Sequence, residues 1–192
     1  MKRLLLLIPA LLLVIAEGIF AQSTQGSATI NAAAEVVSTI NATEIQGVDF
    51  AVIEQDFTTN GDPTIDPSDG STTGSFVNTS PSITVGFIEV VGTGGQTVSV
   101  TVPGNITLSN TDNITFTPNY NYTLENLSAG ATSWTAAGTN TTSNFTMTLD
   151  GPSNNDDGTN TILVGGSLSE SVSGALTDGS YTGNASVTID YQ

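Results

Sequence analysis

From Tyr181 to Tyr191 the side chains change character at every step. Tyr181, Gly183, Ala185, Val187, Ile189 and Tyr191 fall on one parity, and Thr182, Asn184, Ser186, Thr188 and Asp190 on the other. A two-residue period belongs to an extended strand with one face buried and the other in water. The same period recurs at Val48, Phe50 and Val52, at Val98, Val100 and Val102, and at Phe145, Met147 and Leu149. Ile83, Val85 and Phe87 begin a further strand that runs to Val91, and Ile106/Leu108, Ile114/Phe116 and Tyr120/Tyr122/Leu124 add shorter pieces. Past residue 21 no stretch carries a helical period bounded by caps, so the pattern predicts an all-β chain.

The longest alternation comes first. Ala28, Ile30, Ala32, Ala34, Val36, Ile40 and Ala42 share a parity that only Ser38 interrupts. Fifteen residues in one strand would reach about 50 Å, far beyond the usual six or so. Either the segment bends near Ser38 into two strands, or it is an arm longer than its own sheet needs. Turn residues divide the rest. Asp56–Thr79 reads as a loop on its Asn60-Gly61-Asp62-Pro63, Asp66-Pro67 and Asp69-Gly70 signals, and Asp150–Thr161 reads as another. Trp134 is expected in the core or at its rim. Some eight to ten short antiparallel strands predict an immunoglobulin-like β-sandwich, with a closed barrel as the competing architecture. No fixed repeat supports a propeller or solenoid.

Charge narrows the chemistry. The chain has 18 Asp and Glu, two Lys and Arg, and neither His nor Cys. Both cations, Lys2 and Arg3, precede the apolar run Leu4–Ala16, which reads as a secretion signal ending at Ala21. Removal of residues 1–21 leaves 171 residues, seventeen of the carboxylates and no cation. Such a chain has no parts for Ser-His-Asp or Cys-His catalysis, a Schiff-base lysine or an arginine clamp. It cannot hold zinc through Cys or His, and it offers nothing to neutralise nucleic-acid phosphates. No later run is long enough for a membrane helix. Without Cys, stability must come from sheet packing and one continuous core.

Few residues remain as candidate sites. Glycoside hydrolysis needs two carboxylates facing a cleft, but the acidic residues here sit in Gly/Pro/Asn loops, where they form turns. Asp62, Asp66 and Asp69 form one candidate calcium cluster, and Asp156 and Asp157, with Asn155, form another. Calcium takes oxygen ligands from loops of this kind, although neither cluster fits the twelve-residue calcium loop. Nine Asn-x-Ser/Thr triplets, at Asn41, Asn78, Asn105, Asn113, Asn121, Asn126, Asn140, Asn144 and Asn184, are what the composition alone produces.

One pattern has a counterpart elsewhere. Val164-Gly165-Gly166-Ser167-Leu168 is followed by Gly179-Ser180-Tyr181-Thr182-Gly183 and then Val187-Thr188-Ile189-Asp190-Tyr191. Together with Ala28-Thr29-Ile30 and Val48-Asp49-Phe50, it resembles the bacterial secreted family catalogued as domain of unknown function 4402. Ala51 stands where that family would place a Gly. The resemblance implies an immunoglobulin-like sandwich on the bacterial surface and no particular chemistry. The ending is also similar to that of chaperone–usher pilins, which carry a penultimate Tyr and a Gly fourteen places from the end. Here those are Tyr191 and Gly179. That similarity implies pairing with a periplasmic chaperone and usher, then a homopolymer joined by strand exchange.

The sequence thus predicts a signal at 1–21, an N-terminal strand or donor arm at 22–42 and a β-sandwich at 43–192. The expected function is a secreted, non-catalytic structural or adhesive domain of the cell surface. The alternatives are a fimbrial subunit polymerising through its arm and a calcium-stabilised or carbohydrate-binding module. The strand-pairing residues would be Ala28, Ile30, Ala32, Ala34, Val36, Ile40, Gly179, Tyr181, Val187, Ile189 and Tyr191.

Overall fold

The alternating segments pair as antiparallel strands and leave no helix among the described residues. In this computed structural model those are residues 37, 39–78, 82–152, 158–170 and 175–192. They lie in one compact unit, Val36–Gln192. The strands are β1 (Asn41–Gln46), β2 (Val52–Ile53), β3 (Thr64–Ile65), β4 (Thr72–Thr73), β5 (Phe76–Asn78) and β6 (Gly86–Gly92), followed by β7 (Thr97–Thr101), β8 (Ile106–Ser109), β9 (Asn113–Thr123), β10 (Phe145–Thr148), β11 (Gly158–Glu170) and β12 (Thr188–Tyr191). Eight of them have four or more residues, as the alternation predicts.

Seven strands form one sheet, ordered β1-β6-β11-β3-β4, with β9 on the other edge of β11 and β8 beyond β9. β11 is long enough to pair with β6 over Gly158–Val164, with β3 at Gly166–Ser167 and with β9 over Thr161–Glu170. A second sheet, β10-β7-β12, aligns Phe145, Val100 and Ile189 in one row and Met147, Val98 and Tyr191 in the next. These rows meet Val90, Tyr120, Ile162 and Val164 of the large sheet in the main core. The two sheets therefore form a sandwich, and the fold is all-β and antiparallel as expected. β2 and β5 form a separate two-stranded ribbon.

The large sheet is also covered on its outer face. Phe87, Leu163, Ile65 and Leu127 are buried there, with Trp134 packed against them. Trp134 is a rim aromatic: it meets Phe87 edge-on at 5.3 Å and donates from Nε1 to the Pro67 carbonyl at 3.0 Å. Burial on both faces explains why Ile162, Leu163 and Val164 of β11 are consecutive apolar residues rather than an alternation. Full burial of a side chain such as Phe87 contributes roughly 1.5–3 kcal/mol.

Four details differ from the sequence reading. Asp56–Thr79 is not a plain loop: it contributes β3, β4 and β5, short strands that the turn residues conceal. The pieces around Ile114, Phe116, Tyr120 and Tyr122 are one eleven-residue strand, β9, which continues through Pro118. Proline cannot donate to the ladder, and the residue opposite it is Gly166 at φ 137°, with the register unbroken on either side. The loop after Asp150 ends early, because Gly158–Thr161 already belong to β11. Finally, Tyr181–Tyr191 is not one strand. Only Thr188–Tyr191 pairs with β7, while Thr182 makes an isolated bridge to Ser109.

Candidate functional site

That interruption opens the sandwich. The small sheet covers only part of the large sheet's inner face. Beyond it lies a second cluster, Phe57, Ile114, Phe116, Leu168 and Leu176, against which Phe50, Ile106, Leu108 and Tyr181 pack. No strand of the small sheet reaches these residues. They are overlaid instead by the chain on either side of Phe50 and by the segment leading into β12. Between β1 and Gly179–Val187 this arrangement leaves a groove of about 1020 Å³. Its floor includes Ile88, Val164, Phe116, Tyr120 and Leu108, and one wall carries Ala42, Glu44 and Gln46 from β1.

Both walls offer backbone. β1 pairs with β6 on one edge only, and Asn41–Glu44 are exposed. On the opposite wall, the C-terminal segment is held at two points. Ser109 N donates to the Thr182 carbonyl at 3.0 Å, and Thr188 enters the ladder with β7. Between them, Gly183–Val187 make no backbone hydrogen bond to another described residue. The segment still passes close to β8, since a Cβ on Gly183 would sit 2.5 Å from the Thr107 carbonyl oxygen. A strand-like sequence with unsatisfied backbone groups beside an apolar trough is a template for an added strand.

The groove's lower end is fastened by a small polar cluster. Asp112 Oδ2 accepts from Thr177 N at 2.8 Å, and Tyr181 Oη donates to the Thr177 carbonyl at 2.8 Å. The bonds from Thr177 hold the Asp112 carboxyl below its ordinary value. Desolvation raises the Tyr181 phenol, with the Asp112 charge adding to it. Gly179, at φ 150°, turns the chain there beside Asn110.

The expected strand-pairing residues separate accordingly. Ala28, Ile30, Ala32, Ala34 and Val36 lie outside the described residues. Ile40 is half-buried against the main core, just ahead of β1, so Asn41 and Ala42 belong to the sandwich's first strand rather than to an arm. Gly179, Tyr181 and Val187 line the groove. Ile189 is buried between the sheets, and Tyr191 closes the core's edge, its hydroxyl accepting from Thr93 N at 2.7 Å.

The calcium candidates divide as well. Asp156 and Asp157 lie outside the described residues. Asp66 Oδ1 accepts from Ser68 N and Asn140 Nδ2, both at 2.8 Å. Asp69 Oδ1 accepts from Ser71 N at 2.8 Å, a bond that lowers its pKa. Asp62 accepts from Thr64 Oγ1 through its backbone carbonyl. These residues each serve a local turn, and no three acidic groups converge on a metal position among the described residues.

Sequence reasoning did not find the groove floor. Ile114, Phe116 and Leu168 read as ordinary core, and only the pairing shows that no second-sheet strand covers them. The available signal was Gly183-Asn184-Ala185-Ser186, four small residues in the middle of the last alternation, which contribute little cross-strand packing.

A model for the family described as Domain of unknown function (DUF4402) matches residues 39–191, a span that includes every strand and both walls of the groove. No curated protein and no solved structure gives a match.

Proposed function

The chain belongs to the family described as Domain of unknown function (DUF4402), and on that premise we propose that it is a secreted, non-catalytic structural subunit that assembles by accepting an extended strand into its open groove. The supporting observation is the apolar trough lying beside the unpaired Gly183–Val187 backbone. Backbone hydrogen bonds would supply affinity, and alternate side chains would enter the trough.

The occupant we propose is Ala28–Val36 of a second copy. Its alternation places Ala28, Ile30, Ala32, Ala34 and Val36 on one face, and nine extended residues span about 30 Å. It joins the domain ahead of β1, at the end of that strand paired with Val91, whereas Phe50 and Phe116 in the groove lie toward the other end. To fill its own groove the arm would have to reverse just before β1. Glu35-Val36-Val37-Ser38-Thr39-Ile40 contains no Gly, Pro, Asn or Asp, the residues that favour two-residue hairpins, and Ser38 is its one weaker turn former. An arm that did not reverse would reach another molecule.

Ile30→Asp in the mature chain tests this reading, because the substitution leaves the described sandwich untouched. Sedimentation velocity should show wild-type chains forming concentration-dependent oligomers and the variant remaining monomeric with an unchanged melting temperature. Oligomers of the variant indistinguishable from wild type would rule out the arm, and a monomeric wild type at every concentration would leave a structural domain without strand exchange.

A further inference from the structure

We propose that the Tyr120 hydroxyl reads the strand that enters the groove, donating a hydrogen bond to it and so selecting an occupant that brings an acceptor to that point. This rests on the strand-accepting reading above. Tyr120 projects from β9 on the inner face of the large sheet, is 2% exposed and lines the groove. Its ring belongs to the main core with Val90, Ile162, Val164 and Ile189. Its hydroxyl, however, has no hydrogen-bond partner among the described residues, and it is not fully enclosed, since the one fully buried unpaired side-chain polar atom among them is Asn119 Oδ1.

The other two phenols at the groove and core edge, Tyr181 and Tyr191, differ in this respect. Tyr181 donates to the Thr177 carbonyl and Tyr191 accepts from Thr93 N. Buried tyrosines normally find such partners, because an unsatisfied hydroxyl in an apolar setting is costly. Burial pushes the Tyr120 phenol up to about 12, so it stays protonated throughout the physiological range and remains a donor. A hydrocarbon filler could occupy the trough but would leave this donor unpaired. An extended peptide carries a carbonyl at every residue, and Ala28–Val36 adds the side-chain acceptors of Thr29, Asn31 and Glu35. The groove is therefore selective for a peptide strand over a lipid-like occupant, and within strands for one whose register places an acceptor beside Tyr120.

The test is Tyr120→Phe in the full mature chain, which removes one oxygen and keeps the ring. A sedimentation concentration series should show the midpoint of assembly rising about fivefold, as for loss of one neutral hydrogen bond. The melting temperature of the monomer should hold, because the hydroxyl bonds no other described residue. Tyr122→Phe, which removes a phenol oxygen from a residue outside the groove lining, should leave the midpoint where it is. Equal midpoints for Tyr120→Phe and wild type would overturn the hydrogen bond while leaving strand exchange standing. Equal rises for the Tyr120 and Tyr122 variants would overturn it as well. A wild type that never assembles would overturn both readings.

Discussion

Ala51 carries the sharpest local strain. Its φ is 54°, the only positive value at a non-glycine residue among those described. An L side chain in that region costs roughly 1–2 kcal/mol relative to a right-handed conformation. The cost is met because Asp49 Oδ1 accepts from Ala51 N at 2.8 Å, closing a turn that delivers Phe50 inward. Phe50 stacks on Phe76 at 6.3 Å and meets Phe116 edge-on at 5.6 Å, joining the ribbon to the groove floor. The Gly expected after Asp49-Phe50 therefore has a conformational cause, and here an Ala occupies a position shaped for Gly. Ala51→Gly should stabilise the domain by about 0.5–1 kcal/mol, the relief of strain less the greater freedom of glycine in the unfolded chain. A thermal melt should show a rise of about 1–4 °C. A fall would mean that the turn is already relaxed around the methyl group.

At the scale of elements, β11 organises the molecule, and its two glycines make that role possible. A Cβ on Gly165 would lie 2.4 Å from the Ile65 carbonyl oxygen, and one on Gly166 would lie 2.2 Å from that of Thr117. The backbones of β3 and β9 thus approach from opposite sides at the one place where β11 changes partners on its β6/β3 edge. Gly166→Ala would meet both the Thr117 carbonyl and a φ of 137°. It should cost about 2–3 kcal/mol and lower the melting temperature by about 5–10 °C. A melting temperature within 1–2 °C of wild type, on the same scale, would show that the close approach is not rigid. The Gly-Gly pair was legible in the sequence as a family mark, but its mechanical reason was not, because the contacting atoms are backbone of distant segments. Strand parity was legible wherever one face is wet, as at Val98/Val100 and Phe145/Met147. It failed at Tyr181–Tyr191, since alternation reports competence to pair and not the presence of a partner. It failed again at β3–β5, where strands of two or three residues are too short for a period to register. The groove was legible only as an arm and an ending of matching pattern; its floor depends on which strands stop short.

At the scale of the whole molecule, charge opposes the proposed assembly. After removal of residues 1–21 the chain has seventeen carboxylates and no Lys, Arg or His. Under the proposed assembly, two docking copies would repel at long range, and Glu44 and Asp49 at the groove would face an arm that carries Glu35. The attraction would have to come from apolar burial and backbone hydrogen bonds, which salt does not screen. Screening lengths fall from about 30 Å at 0.01 M salt to about 8 Å at 0.15 M. Raising sodium chloride across that interval should accordingly lower the concentration needed for assembly. The effect should flatten above roughly 0.5 M, where the screening length is already down to a few ångströms. Calcium chloride at matched ionic strength separates screening from a specific site. Oδ1 of Asp66 and Oδ1 of Asp69 are engaged by Ser68, Asn140 and Ser71, and no three acidic groups converge among the described residues, so calcium should match sodium closely in both assembly midpoint and melting temperature. A midpoint indifferent to sodium chloride would show that the carboxylates lie too far from the interface to matter. A large additional response to calcium would instead locate cation ligands among the acidic residues, with Asp156 and Asp157 the first to replace by Asn.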